Sequence, residues 1–286
     1  YNSFMKKCTI TAKTSGRLLK ILSENLPEIK YASLSSALRK KDVIVDGNRT
    51  NENITVSTGG KIEIFLPESA YKTDFSVFYE DKNILIVNKN KGIEICDGNY
   101  NIANILRRSY SEIKPVHRLD RNTSGLCVFA KNADVLAALI DALRNKEIRK
   151  FYRTETASLP PSDCETFVDY MIKNAAKSRV KVYSSPVLGS VKTVTKYKFL
   201  YPTRYGAMLD VEITGGFTHQ IRASLAYHGM PILGDGKYGD NSANKKSGYR
   251  YQRLCAYKLV FCLSDNSPLR YLNNIKIAVK DEDIKL

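Results

Sequence analysis

The sequence predicts an α+β protein in two unequal parts: a small two-helix, small-sheet part over residues 1–70, then a larger part over residues 75–286 in which strands and helices alternate. Three observations carry that expectation. Apolar residues fall at helical spacing across residues 18–26 and then switch to strand alternation at Ile62, Ile64 and Leu66. A polar stretch with one proline, residues 67–72, separates this pattern from the longer C-terminal one. Beyond residue 75, continuous apolar runs at 84–87, 126–130 and 254–263 alternate with amphipathic stretches, as buried strands and packed helices do.

Each element has its own signal. Leu18, Leu19, Ile21, Leu22 and Leu26 make one apolar face of a first helix, predicted over residues 16–29 with Pro27 at or just past its last turn. Ser33 or Ser35 is the expected N-cap of a second short helix through Leu34, Ala37 and Leu38. Val43, Ile44 and Val45 read as a strand, and Asp46-Gly47 as a hairpin turn. Residues 54–56 and 61–66 read as further strands joined across Gly59-Gly60. In the larger part, Val77-Phe78 reads as a short strand and residues 84–87 as a buried one. Ile102, Ile105 and Leu106 mark a helix. Asn132 caps a stronger one with Val135, Leu136, Leu139, Ile140 and Leu143 on one face. Residues 193–200 and 207–214 pair as strands, with Leu209, Val211 and Ile213 inward. Thr218 is the expected cap of a helix through Ile221 and Leu225 to His228. Residues 240–250, polar and glycine-flanked, read as a mobile loop, and residues 254–263 as a late strand.

Charge narrows the function. Lys plus Arg number 45 against 29 acids, a formal net charge of +16. The excess is spread: residues 1–72 carry twelve basic and seven acidic side chains, a net of +5, and the remainder 33 and 22, a net of +11. Such an excess points to a polyanionic partner, most often nucleic acid. Hydrophobic content of 43% fits a globular core and argues against disorder. No stretch has the length of a membrane span, so a cytoplasmic protein is expected, with no membrane and no obligate protein partner. The six cysteines lack the two-residue spacing of zinc or redox motifs and read as buried free thiols. His117, His219 and His228 include no close pair with ligand spacing, so no metal is expected.

The string His117-Arg118-Leu119-Asp120-Arg121-Asn122-Thr123-Ser124-Gly125 sets one acid between two arginines, in a turn ahead of the buried run 126–130. Flanking cations favour the charged form of a carboxylate, which suits a nucleophile or base; a surface ion pair beside a hairpin fits the same cluster. The full string resembles the signature of the RluA-type pseudouridine synthases, His-Arg-Leu-Asp-x-x-Thr-Ser-Gly, at every specified position. The resemblance implies that Asp120 is the catalytic residue of a uridine isomerisation. It also implies a larger domain built on a mixed, mainly antiparallel central sheet flanked by helices. Breaking a C–N bond and making a C–C bond involves no redox change and no energy input, so no cofactor is expected. The target base must leave its stack to be reached.

Further strings resemble other family segments. Lys150-Phe151-Tyr152 supplies Tyr152 to pack on the target base, although an aromatic alternating in a strand also suits a core. Thr218-His219-Gln220-Ile221-Arg222 implies that Arg222 pairs with Asp120, and a guanidinium can grip a carboxylate with two parallel bonds. Arg118 is the implied wedge that replaces the flipped base. His117 and His219 are expected to make structural hydrogen bonds behind Asp120 and Arg222. Leu233-Gly234-Asp235 and Lys237-Tyr238-Gly239 match a downstream segment and read as support for the site. The chain departs from the family at Lys89-Asn90, where a Lys-Pro pair is usual, at Phe217, where an arginine is common, and at Ala223-Ser224, where Val-His is common. The missing proline is expected to loosen the edge at residue 90.

Residues 14–68 resemble the alpha-L RNA-binding domain, the type named after ribosomal small-subunit protein S-four. The implied RNA contacts are Arg39, Lys40 and Lys41, with Arg17, Lys20 and Arg49 as additions. Arg39-Lys40-Lys41 equally suits a helix C-terminus, where the dipole favours cations. RNA is therefore the implied partner. The appended module and the broad charge favour large-subunit ribosomal RNA; transfer RNA is the alternative substrate, and a non-catalytic RNA-binding ribosome-assembly protein the alternative activity. The residues leave open whether Asp120 bonds the sugar, bonds the base or removes a sugar proton.

Overall fold

The computed structural model describes residues 5–72, 74–174, 176 and 178–286. Two compact units divide between residues 73 and 74. The first runs β1 (Met5–Thr11), β2 (Gly16–Arg17), α1 (Leu18–Asn25), α2 (Tyr31–Arg39), β3 (Val43–Val45), β4 (Asn48–Thr50), β5 (Thr55–Val56) and β6 (Lys61–Pro67). Its sheet has the order β1-β6-β3-β4, and β2 pairs with β5 apart from it. Ile62, Ile64 and Leu66 alternate inward along β6 and are fully buried, against Leu18 and Leu22 of α1 and Leu34 and Leu38 of α2.

Three helix ends differ from expectation. Gly16 and Arg17 are extended against Val56 and Thr55, so the first helix starts only at Leu18. It stops at Asn25, because Leu26 precedes a proline and is held out of the helical region at φ −123°. The second helix starts at Tyr31 with no side-chain cap, which leaves Ser33 and Ser35 inside it. The Ser33 and Leu34 amides donate to the Lys30 carbonyl instead, at 2.8 and 3.2 Å.

The second unit contains β7 (Phe75–Glu80), β8 (Ile84–Lys89), α3 (Ile102–Leu106), β9 (Lys114–Pro115), β10 (Ser124–Ala130), α4 (Ala133–Arg144), β11 (Ile148–Thr156), β12 (Cys164–Asn174), β13 (Arg179–Tyr183), β14 (Val191–Pro202), β15 (Ala207–Thr214), α5 (Gln220–Tyr227), α6 (Asn241–Ser247), β16 (Leu254–Phe261) and β17 (Lys276–Ala278). Its sheet follows the order β13-β12-β14-β15-β11-β16-β10-β8-β7, with β9 against β10 and β17 against β16. The sheet is mixed and mainly antiparallel, with β10 and β16 running parallel. Both faces are covered, which is why the central strands read as continuous apolar runs. Along β8, Leu85 and Val87 join a core with Ile102 and Leu106 of α3 and Ile221 of α5. Ile84 and Ile86 join the opposite core, with Val135 and Leu139 of α4. Asn132 caps α4 by accepting from the Val135 amide at 2.9 Å.

Three features escaped the pattern. Strands β12 and β13 carried no clear signal, because the inward row of β12 places Asp169 between Phe167 and Met171 and so breaks the apolar alternation. Asp169 is 1% exposed and accepts hydrogen bonds from Ser224 and from His228 Nε2. Residues 240–250 are not a loop throughout: α6 is capped by Asp240, which accepts from the Ala243 amide at 2.7 Å, and ends at Gly248 in the left-handed region. That helix buries no residue, so it shows no apolar period. All six cysteines are free, but only Cys127 and Cys255 are buried; Cys164 and Cys262 are exposed, because the positions they occupy face outward at strand ends. Among the described residues, no helix is long and apolar enough to cross a membrane.

The parallel junction of β10 with β16 is tight. Gly125 has φ +109°, and a Cβ there would stand 2.1 Å from the Ala256 carbonyl oxygen. Gly125→Ala is expected to cost at least about 3 kcal/mol, from a disallowed backbone angle and a clash with main chain together. A urea titration of the two proteins measures it, as a fall in midpoint at unchanged slope.

Candidate active site

Asp120 stands on the loop that leads from β9 into β10. Its carbonyl accepts from the Thr123 amide at 3.0 Å, which closes the turn. Neighbouring segments then pin the loop. Lys89 Nζ donates to the carbonyls of Arg121 at 2.8 Å and of Asn90 at 2.9 Å. The Gly92 amide donates to the same Arg121 carbonyl at 2.9 Å, and Arg121 Nε returns a bond to the Gly92 carbonyl at 3.0 Å. Gln252 Nε2 donates to Thr123 Oγ1 at 2.8 Å. Lys89 is fully buried, and desolvation lowers its pKa from 10.5 to about 8. The edge at Asn90 is not loosened by the missing proline: the Asn90 amide donates to the Asp74 carbonyl at 2.8 Å, a bond proline could not make.

Arg222, on α5, is 6% exposed and joins two carboxylates. Its Nη1 donates to Asp120 Oδ2 at 2.7 Å. The two-pronged grip expected on Asp120 falls on Asp235 instead, with Nε to Oδ2 at 2.7 Å and Nη2 to Oδ1 at 2.9 Å. The reason is that Asp235 is wholly buried and already fixed by the Lys237 and Tyr238 amides, at 2.8 and 3.1 Å. Burial opposes the charge on Asp235, but the guanidinium and those amides outweigh it, and its carboxyl stays below the usual range. Burial likewise opposes the charge on Arg222, yet the two carboxylates raise its pKa above the ordinary value.

His219 precedes α5 in the left-handed region, at φ 53°, so Thr218 does not cap the helix. Gln220 does the local work: its Oε1 accepts from the Phe217 amide at 3.1 Å, and its Nε2 donates to the Val194 carbonyl at 2.9 Å. The Tyr238 hydroxyl accepts from the Val180 amide at 2.6 Å and lies 2.9 Å from His219 Nδ1. His219 Nε2 lies 3.9 Å from Asp120 Oδ2. Burial lowers the His219 pKa despite the pull of Asp120. His117 is fixed to the sheet: its Nε2 accepts from the Val128 amide of β10 at 3.2 Å, and burial holds it neutral with a pKa of about 3.

Tyr152 is 5% exposed, on β11, where the pairing with β16 shifts register between Phe151 and Tyr152. Such a bulge re-aims a side chain. Tyr152 both joins the core and lines a cleft of about 640 Å³, together with Arg118, Asp120, Lys150, His219 and Arg222. Arg118 lies at the rim, exposed and paired with Asp97. No sequence motif marked a role for Lys150, although it stands two residues before Tyr152 and so on the same strand face. It is 5% exposed. In the first unit, Arg17, Lys20, Arg39, Lys40, Lys41 and Arg49 are all exposed. Arg49 reaches the Lys41 carbonyl at 2.7 Å, Arg17 binds the Asn53 carbonyl at 2.9 Å, and Lys20 lies 4.0 Å from Glu24. Among the described residues, no group of three or more His, Cys, Asp or Glu is placed to hold a metal.

The buried lysines make stability depend on pH. Lys150 falls from 10.5 to about 8 through desolvation. Between those values the unfolded chain holds a proton that the folded chain lacks, so this contribution to stability rises with pH across the window and is smallest below 8. Lys150→Met is therefore expected to be more stable than the parent by up to about 3 kcal/mol at neutral pH, with the gap closing as pH approaches that of free lysine. Denaturant midpoints of both proteins across the neutral-to-alkaline range measure it.

Known proteins share this architecture. Residues 83–227 match the RNA pseudouridylate synthase family. The ribosomal large subunit pseudouridine synthase C of Rickettsia bellii is 29% identical over 270 residues, covering 85% of this chain and 89% of that one. The ribosomal large subunit pseudouridine synthase D of Buchnera aphidicola subsp. Schizaphis graminum is 30% identical over 244 residues, covering 78% and 75%. The solved structure of human RNA Pseudouridylate Synthase Domain Containing 1 has the same fold, with a TM-score of 0.61 at 20% identity over 73% of this chain and 85% of that one. With the matched segment spanning half the chain, including the Asp120 loop and Arg222, the chain belongs to the RNA pseudouridylate synthase family.

Proposed function

We propose that this isomerase converts specific uridines of large-subunit ribosomal RNA to pseudouridine, with Asp120, Tyr152 and Arg222 carrying the chemistry. The observation that supports the assignment best is Asp120 Oδ2 at 2.7 Å from Arg222 Nη1, in a cleft that Tyr152 and Arg118 also line. The target base leaves its stack and enters the cleft. Arg118 releases Asp97 and takes the vacated place with its planar head. Tyr152 packs against the uracil. Asp120, aimed by Arg222, acts on the nucleoside; the electron pair of the C1′–N1 bond leaves with the uracil. The ring turns and rejoins C1′ through C5, losing the C5 hydrogen as a proton while N1 gains one. The names of these two relatives, ribosomal large subunit pseudouridine synthases C and D, support the choice of RNA. A cytoplasmic location follows from that substrate.

The first unit is the proposed alpha-L-type RNA-binding module. Arg39, Lys40 and Lys41 meet phosphate, with Arg17, Lys20 and Arg49 as additional contacts. All six side chains are exposed, as that role requires.

Two measurements test this. Large-subunit ribosomal RNA carrying tritium at uridine C5 should release label with the parent protein, and Asp120→Asn should lower the rate by at least about 1000-fold at similar RNA affinity. Release from transfer RNA alone would move the substrate; undiminished release by the variant would refute the role of Asp120. Neutralising Arg39, Lys40 and Lys41 together should weaken RNA binding and flatten the logarithmic salt dependence by roughly two to three units. An unchanged slope would turn that surface away from RNA.

A further inference from the structure

Lys150 is a cation to which the steps above give no task. It shares the inner face of β11 with Tyr152, and both line the cleft with Asp120. The residue is 5% exposed, and its ammonium makes no hydrogen bond or ion pair with any described residue. It rests instead against bare backbone: a Cβ on Gly216, another cleft residue, would stand 2.8 Å from Lys150 Nζ. Its titratable neighbours bring no negative charge. Cys127 of β10 is kept a thiol by burial, and His117 is neutral. An ammonium desolvated without a partner costs stability. The same cleft also has exposed cations, Arg118, Arg144 and Lys173. A buried, unpaired cation at the floor of an active site fits a place where negative charge arrives only during reaction.

We propose that Lys150 is a further catalytic residue, whose ammonium meets a carbonyl oxygen of the bound uracil and offsets the negative charge the ring acquires when the glycosidic bond breaks. The inference rests on the isomerase reading. Lys150 transfers nothing: the C1′–N1 electron pair spreads over N1 and the carbonyl oxygens of the departed ring, and returns to C1′ through C5. The ammonium keeps its proton throughout. Gly216 leaves the space that lets it lie at the cleft floor.

The test is single-turnover kinetics on ribosomal RNA with uridine or 5-fluorouridine, the latter followed by loss of the fluorinated nucleoside after digestion. Fluorine withdraws electrons and stabilises the departed ring by itself. Lys150→Met is expected to slow the uridine reaction about 100-fold with RNA affinity within about threefold of the parent. Its defect on 5-fluorouridine should be at least about tenfold smaller. Gly216→Ala, which crowds Nζ without removing it, should slow the parent and add nothing to Lys150→Met. A Lys150→Met rate within about threefold of the parent overturns the proposal, as does an equal defect on both substrates or a loss confined to affinity. If the parent itself forms no pseudouridine, the isomerase reading fails instead, so the two failures are distinct.

Discussion

The site depends on one guanidinium held between two carboxylates. Arg222 commits its rigid fork to Asp235, which is buried and gripped by main-chain amides, and reaches Asp120 with the nitrogen left over. The arrangement separates two tasks that a single ion pair would combine. Asp235 fixes where the arginine points. Asp120 receives one directed bond and keeps an oxygen available to a substrate. A two-pronged grip on Asp120 would have tied up both of its oxygens.

Around that axis the protein accepts an electrostatic cost in order to hold a loop still. Lys89 is buried completely so that its ammonium can tie the Arg121 carbonyl, next to Asp120, to the end of β8. On the far side, Asp169 occupies a core position of β12 and binds Ser224 and His228 at two points along α5 and its end. Helix α5 is thereby fixed to the sheet by polar bonds as well as by packing, and Arg222 is fixed with it. The residues that look out of place in an apolar pattern are the ones that orient the helix and the loop.

Much of this was legible in the sequence, and the exceptions have physical causes. Apolar periodicity located the helices at 18–25 and 133–144 and the buried strands at 84–89, 124–130 and 254–261, because those elements bury apolar faces. Strand β12 was missed because its inward row contains a carboxylate. Helix α6 was missed because it buries nothing and is held by its Asp240 cap. The motif around Asp120 marked its own neighbourhood, and the pairing of Asp120 with Arg222 was foreseen, but the division of the guanidinium between two acids was not. That division depends on Asp235 lying thirteen residues away on a turn whose amides face inward, a matter of tertiary geometry. Lys150 escaped because a lysine in a strand reads as surface until the strand is seen to lie in the middle of a sheet.

The parallel seam between β10 and β16 has a consequence for synthesis. Ser124 and Gly125 sit beside Cys255 and Ala256, and Gln252 holds Thr123 across the same join. The Asp120 loop thus takes its seat from a strand made more than a hundred residues later. While a ribosome is still extending the chain, that loop has no floor. The growing polypeptide, already basic and surrounded by RNA, acquires a formed site only when its late strand docks.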